Sequence, residues 1–290
     1  PIRLKLLQLL LSVVPLVWVS VGEAHALDCE QDFSDAQQMV YAFPDDPESF
    51  EVLGESQACR MQCVESWKSL SKAVNLGASK SVMKMAESCM TQLVSSSSCE
   101  VANAQARRLV ELDPKSALAH TILADAMRCQ SGCAERLVVL SKAVQLGADS
   151  SLIDSPDLSC IDTMIDAGRC SEAIDEVEHA LTVLPKSADI YLTMGRARAC
   201  SGECVEAWDA VVKAGRLGAD ISENRSAQRC MVGLIKSGEC EGSQAQAKTI
   251  VTRYSKDPHA QALYAEAMTC SGSCVESYIA WNKAVTLGAP

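Results

Sequence analysis

CVESWKSLSKAVNLGAS at residues 63–79 returns as CAERLVVLSKAVQLGAD at 133–149, CVEAWDAVVKAGRLGAD at 204–220 and CVESYIAWNKAVTLGAP at 274–290. Each copy opens on the second cysteine of a Cys-x-x-x-Cys pair. The first cysteines of those pairs, Cys59, Cys129, Cys200 and Cys270, lie 70, 71 and 70 residues apart. A second series is interleaved, with nine residues between partners: Cys89/Cys99, Cys160/Cys170 and Cys230/Cys240. Two similar halves per period give a unit of roughly 35 residues, the length at which repeat architectures are built.

Residues 188–220 show what one unit is. Tyr191, Met194 and Gly195 mark an apolar face at helical spacing, although Arg198 stands where the stripe would continue. Ala207, Val211, Ala214 and Leu217 mark a second face without interruption, and Ser201-Gly202 falls between them where a turn is needed. The other half reads alike: Ala173, Val177 and Ala180 form the stripe, Gly168 sits at the turn, and Pro185 stops the second helix. The unit is a helix–turn–helix. One hairpin cannot bury both its faces, whereas stacked hairpins share a continuous core.

Composition agrees with helices. Hydrophobic content of 48% is ample for a core, but only 4% of residues are aromatic, so Ala, Leu, Val and Met must fill it. A net charge of −11 argues against nucleic acid as a partner, because phosphate binding needs clustered Lys and Arg.

Several of these residues carry a resemblance. The first helix has a small residue at Ala124, Gly195 and Ala265. The second opens on Glu172-Ala173 or Glu206-Ala207 and closes near Lys142-Ala143, Lys213-Ala214 or Lys283-Ala284. LDPKSA at 112–117 and LPKSA at 184–188 link one unit to the next. In these features the chain resembles the tetratricopeptide repeat family. Arg198 departs from the apolar residue that family prefers there. The resemblance implies an all-α, right-handed α-solenoid of seven antiparallel hairpins over residues 47–290, preceded in segment 27–46 by a lone helix at about 29–42 that ends at Pro44. Sel-like repeats of secreted cysteine-rich proteins share the Lys-Ala helix end and the disulfides, but their Gly-x-Gly turn is missing. LGAD at 146–149 and 217–220 is similar to ankyrin repeats, whose TPLH turn is absent.

Residues 1–26 read as a signal peptide. Arg3 and Lys5 precede an apolar run from Leu6 to about Gly22, broken by Pro15, and Ala24-His25-Ala26 offers small residues at a cleavage site. The run is short of the ~20 residues of a membrane span. The expectation is therefore an exported protein, periplasmic or secreted, without membrane insertion after cleavage. Cys29 follows Asp28, which argues against a lipoprotein.

Fifteen cysteines in an exported chain read as disulfides. Two schemes fit. Links within hairpins would be Cys59–Cys63, Cys129–Cys133, Cys200–Cys204, Cys270–Cys274, Cys89–Cys99, Cys160–Cys170 and Cys230–Cys240, leaving Cys29 odd. Links between hairpins would run Cys29–Cys59, Cys63–Cys89, Cys99–Cys129 and onwards, leaving Cys274 odd. Within-hairpin links are expected here, since residues four apart across a tight turn sit at one level of adjacent helices, within ~4.4–6.8 Å between Cα atoms. The nine-residue pairs fit that scheme less well, with an axial offset of up to ~9 Å.

No catalytic constellation stands out: there is no phosphate-binding glycine loop, no GxSxG and no HExxH. The histidines at 25, 120, 179 and 259 follow no metal-ligand spacing, and neither a metal nor a cofactor is implied. Trp67 and Trp208 occupy matching positions four residues after a cysteine, with Tyr278 in the same place of the last copy, and read as packing. The family resemblance implies a non-catalytic scaffold binding extended or helical segments of proteins or peptides on a concave face of first helices. Counting along those helices places Glu51, Glu55, Glu87, Thr121, Asp125, Arg128, Asp162, Arg196, Arg225, Arg229 and Glu266 there. Each could equally be an ordinary exposed helical side chain. The early part of this face is acidic, and Arg196, Arg225 and Arg229 make the later part more basic. A structural spacer without specific ligand, or a cell-envelope enzyme with a groove site, are the alternatives. No polar capping helix follows the last hairpin, so it is expected either to be covered by something else or to form a contact surface.

Overall fold

A computed structural model describes residues 29–129, 132–220 and 225–289. The signal-like segment 1–26 lies outside them. The described residues are helical and contain no strand. Cα packing divides the chain into two compact units, residues 1–129 and 130–290.

In the first unit, residues 29–42 form helix α1, followed by α2 (Pro47–Cys59), α3 (Cys63–Asn75), α4 (Met83–Ser96), α5 (Cys99–Leu112) and α6 (Ala117–Ala126). Helices α2 and α3 pack as an antiparallel hairpin, α4 packs on α3, and α6 on α5. In the second unit, α7 (Cys133–Gln145) and the short α8 (Ser151–Asp154) precede α9 (Ser159–Asp166) and α10 (Cys170–Val183). Then come α11 (Ala188–Cys200), α12 (Cys204–Arg216), α13 (Ser226–Lys236), α14 (Cys240–Arg253), α15 (Pro258–Cys270) and α16 (Cys274–Thr286). Here the hairpins are α9–α10, α11–α12, α13–α14 and α15–α16, and each next pair packs on the one before. This is the tetratricopeptide-like hairpin repeat that the sequence leads one to expect.

The repeated motifs are helix boundaries. Ser116 and Ser187, from the two PKSA segments, cap α6 and α11 by accepting the N–H groups of Ala119 (3.1 Å) and Ile190 (3.4 Å). Asp46 and Asp257 do the same ahead of Pro47 and Pro258, whose fixed φ suits the first helical position. Leu-Gly-Ala is a C-terminal stop: Gly218 takes φ +99°, and Ala219 N–H turns back to the Ala214 carbonyl at 3.1 Å, as in a Schellman motif. That accounts for the ankyrin-like tetrapeptide without an ankyrin fold.

Small residues set the hairpin crossing. A Cβ on Gly195 would lie 2.8 Å from Val211 Cγ2, and one on Gly54 would lie 2.5 Å from Leu70 Cγ. Ser66 Oγ donates to the Gly54 carbonyl at 2.7 Å, and Ser277 Oγ to the Ala265 carbonyl at 2.9 Å, so the second helix is bonded to the first at the crossing. Between hairpins the core is apolar: Val205 and Trp208 of α12 meet Met231 of α13 and Ile250 of α14.

The disulfides correct the expectation. Cys29 bonds Cys59, Cys63 bonds Cys89, Cys133 bonds Cys160, Cys170 bonds Cys200, Cys204 bonds Cys230 and Cys240 bonds Cys270, with Cα separations from 5.2 to 6.1 Å. Cys99 is also disulfide-bonded, and Cys274 is free. None of Cys59–Cys63, Cys129–Cys133, Cys200–Cys204, Cys270–Cys274, Cys89–Cys99, Cys160–Cys170 or Cys230–Cys240 forms. Sharing a level on adjacent helices does not make two side chains face each other. Cys200, at the end of its first helix, leans back to within 3.8 Å of the Ile165 carbonyl in the preceding hairpin. Cys204, opening the second helix, is buried and joins Cys230 of the following one.

This arrangement has an energetic consequence. A link closing 26 to 30 residues removes more unfolded-chain entropy than one closing four. The estimates are about 3.6 against about 2 kcal/mol. It is also placed where stacked repeats need it, at the interface between neighbours.

Candidate functional site

In the first unit a groove of about 480 Å³ opens between α1, α2 and α4. Ala36, Met39, Val52 and Met85 supply its apolar surface, while Asp32, Asp35 and Glu55 bring three carboxylates. Among the described residues no Lys or Arg lines it. Asp35 Oδ1 accepts from Gln31 Nε2 at 2.9 Å. At the edge of α1, Arg60 pairs with Glu30 at 3.1 Å and lies over the Phe33 ring at 4.1 Å. Arg60 is thereby held by partners outside the groove lining.

Of the sequence-selected residues, Glu55 is an exposed member of this groove. Glu51 and Glu87 are half-buried on α2 and α4. Thr121 is half-buried and donates to the Ala117 carbonyl of its own helix at 3.1 Å, which occupies its hydroxyl proton. Asp125 and Arg128 pair one turn apart at 3.2 Å, an exposed contact contributing at most a few tenths of a kcal/mol.

In the second unit the structure brings two of the selected residues together. Arg196 Nη1 donates to Asp162 Oδ1 at 2.6 Å, so α9 and α11 do present these side chains to a common face. Their charges offset one another, and Arg196 adds no net positive charge. Arg225, at the N-cap of α13, and Arg229 are exposed; Glu266 on α15 is half-buried. Among the described residues no group of three or more His, Cys, Asp or Glu could hold a metal ion. None of their helices is long and apolar enough to cross a membrane.

Sequence reading missed Asp32 and Asp35. Helix α1 was expected as a partial repeat, and its acidic i, i+3 pair was the available signal. Arg198, the departure from the family pattern, is explained: it pairs with Glu178 and Glu203. Partial burial alone would depress the guanidinium pKa. The hydrogen bond and charge of Glu203, with Glu178 and Glu206, outweigh this and hold it above the ordinary arginine value. Trp67 and Trp208 are buried, as expected of packing residues.

No protein-family model matches the chain, and no curated protein matches it. Solved structures do. The human IFIT1 dimer with PPP-AAAA is similar at 16% identity and a TM-score of 0.28, over 88% of this chain and 57% of that one. The TPR domain of P58(IPK) is similar at 13% identity and a TM-score of 0.27, over 94% of this chain and 81% of that one. The chain thus spans little more than half the length of IFIT1.

Proposed function

We propose that this protein is an exported, non-catalytic scaffold that binds segments of partner proteins along the faces of its first helices. The supporting observation is the α1–α2–α4 groove, apolar inside, with Asp32, Asp35 and Glu55 around it. An amphipathic segment carrying Lys or Arg beside aliphatic side chains complements it in both respects. The six described disulfides suit an oxidising compartment, as does the signal-like N-terminus. The acidic balance of the whole chain favours a basic polypeptide over nucleic acid.

The test is a fluorescein-labelled peptide alternating Lys and Leu, titrated with the full chain and followed by anisotropy. Binding should weaken as salt rises from 50 to 500 mM, flagged by a loss of about tenfold or more, because exposed charges are screened over ~10 Å or less. Glu55→Lys should abolish it, while Asp125→Lys, on α6, should leave it unchanged. Equal affinity for the wild-type chain and Glu55→Lys removes this groove from consideration.

A further inference from the structure

Helix α13 departs from its own repeat on one side. Arg225, Arg229, Val232 and Lys236 recur at i, i+4, i+7 and i+11, a single stripe of a helix, and all four are exposed or half-buried. Aligned on their internal cysteines, α9 has Ser159, Asp162, Thr163 and Asp166 where α13 has Arg229, Val232, Gly233 and Lys236. Helix α4 has Ser88, Thr91, Gln92 and Ser95 there. The fold is thus built twice without cations or an aliphatic residue on this face. Gly233 is equally unexplained by packing, since a Cβ on it would meet nothing within 4 Å. A glycine weakens a helix interior, but its bare backbone lets another element come close. Among the described residues Arg225, Arg229 and Lys236 form no ion pair, whereas Arg169, Arg196, Arg198 and Arg253 of the same unit do.

Helix α2 carries the reverse pattern. Residues 29–59 hold eight Asp or Glu and no Lys or Arg. Glu48, Glu51, Val52 and Glu55 share one side of α2 at i, i+3, i+4 and i+7, and Val52 and Glu55 line the acidic groove. None of these three glutamates forms an ion pair among the described residues. The two stripes have the same spacing. Glu48 and Glu55 are seven residues apart, as are Arg229 and Lys236, which is about 10.5 Å along a helix in each case. Val52 lies four residues after Glu48, and Val232 lies four before Lys236. Laid antiparallel with Val52 on Val232, the two helices bring Glu55 to Arg229 and Glu48 to Lys236. Arg225 is then left for Asp32 and Asp35, the carboxylates that α1 adds to the groove.

We propose that the occupant of the acidic groove is α13 of a second copy of this chain, with its Arg225–Lys236 stripe antiparallel to α2. This names the partner of the site proposed above and rests on that reading. Charge, apolar contact and spacing all match on a helix that the protein itself presents, and its cations have no acidic partner of their own. Gly233 lies beside Val232 at the centre of the contact, where a side chain would hold the helices apart. The two faces differ, so the contact is heterologous: each copy in a pair keeps one groove and one stripe free, and association runs past the dimer into chains or closed rings.

Sedimentation velocity of the full chain between about 1 and about 100 μM reads the contact. In about 50 mM salt the average mass should rise with concentration beyond that of a dimer, and in about 500 mM salt it should fall back toward the monomer. Glu55→Arg and Arg229→Glu should each raise the dissociation constant about tenfold or more, and the double variant, which exchanges the two charges, should recover association. Gly233→Gln disturbs no internal contact, so it should weaken association without lowering the urea midpoint of the second unit. The alternating Lys–Leu peptide should compete with self-association. A chain that stays monomeric throughout, or a Glu55→Arg variant that associates as the wild type does, overturns the proposal. If the monomeric chain still binds the Lys–Leu peptide through Glu55, the groove stands and only its occupant is wrong; if it binds neither, both readings fall.

Discussion

Met61 holds φ +57° at the turn position where the equivalent hairpins have Gly202 at +80° and Gly272 at +76°. A side chain in that left-handed region costs about 1–2 kcal/mol. Met61→Gly should therefore raise stability by about 1 kcal/mol, measured by the urea midpoint of the first unit through Trp67 fluorescence. Gly54→Ala should act the other way, by about 1–3 kcal/mol, since its new Cβ would overlap Leu70 at the hairpin crossing. Tyr254 gives a pH signature. Its hydroxyl donates to Asp209 Oδ1 at 2.6 Å, and burial, then this carboxylate, push its pKa up to about 12. A phenol that ionises later in the folded than in the unfolded chain contributes fully below pH 10 and loses that contribution as pH rises toward 12. Tyr254→Phe should flatten the decline of the urea midpoint across that window. At this scale the crossing residues were legible, because a small side chain at fixed register is a local signal. Arg198 was not, because Glu178 and Glu203 reach it from outside its helix.

At the scale of helices, the cost of a mutation follows what covers the element. Trp208 packs between α12 and its neighbours, so Trp208→Ala should cost about 3–5 kcal/mol. Tyr278 occupies the same register on an uncovered face, and Tyr278→Ala should stay within about 0.5 kcal/mol. Chemical denaturation of the two variants side by side checks both. Helix boundaries and their period could be read directly, since Ser-, Asp-Pro- and Leu-Gly-Ala-type signals act through the local backbone. The direction in which each cysteine points could not. Spacing gives the level of Cys200 and Cys204 along their helices, but their rotation about the axes comes from how hairpins stack.

For the molecule as a whole, the links and the charge decide where it can persist. Each between-hairpin disulfide contributes about 3–4 kcal/mol by loop closure. The Cys204→Ser/Cys230→Ser double variant should lose about that much from the second unit, read as a lower urea midpoint. Loss of less than about 1 kcal/mol would show that packing alone holds α13 on α12. Arg3, Lys5 and the apolar run, on which the expectation of export rests, lie outside the described residues. The acidic groove was only partly legible: Glu55 was counted on its face, but Asp32 and Asp35 complete the groove from α1.

The order of the links has one more consequence. Cys29–Cys59, Cys63–Cys89, Cys133–Cys160, Cys170–Cys200, Cys204–Cys230 and Cys240–Cys270 are closed rings that follow one another without nesting or overlap. An oxidase that simply joins each of these thiols to the next one along the chain makes the six links without reshuffling. On the export proposed above, pairing in that order keeps pace with the arrival of the chain and needs an oxidant but no isomerase.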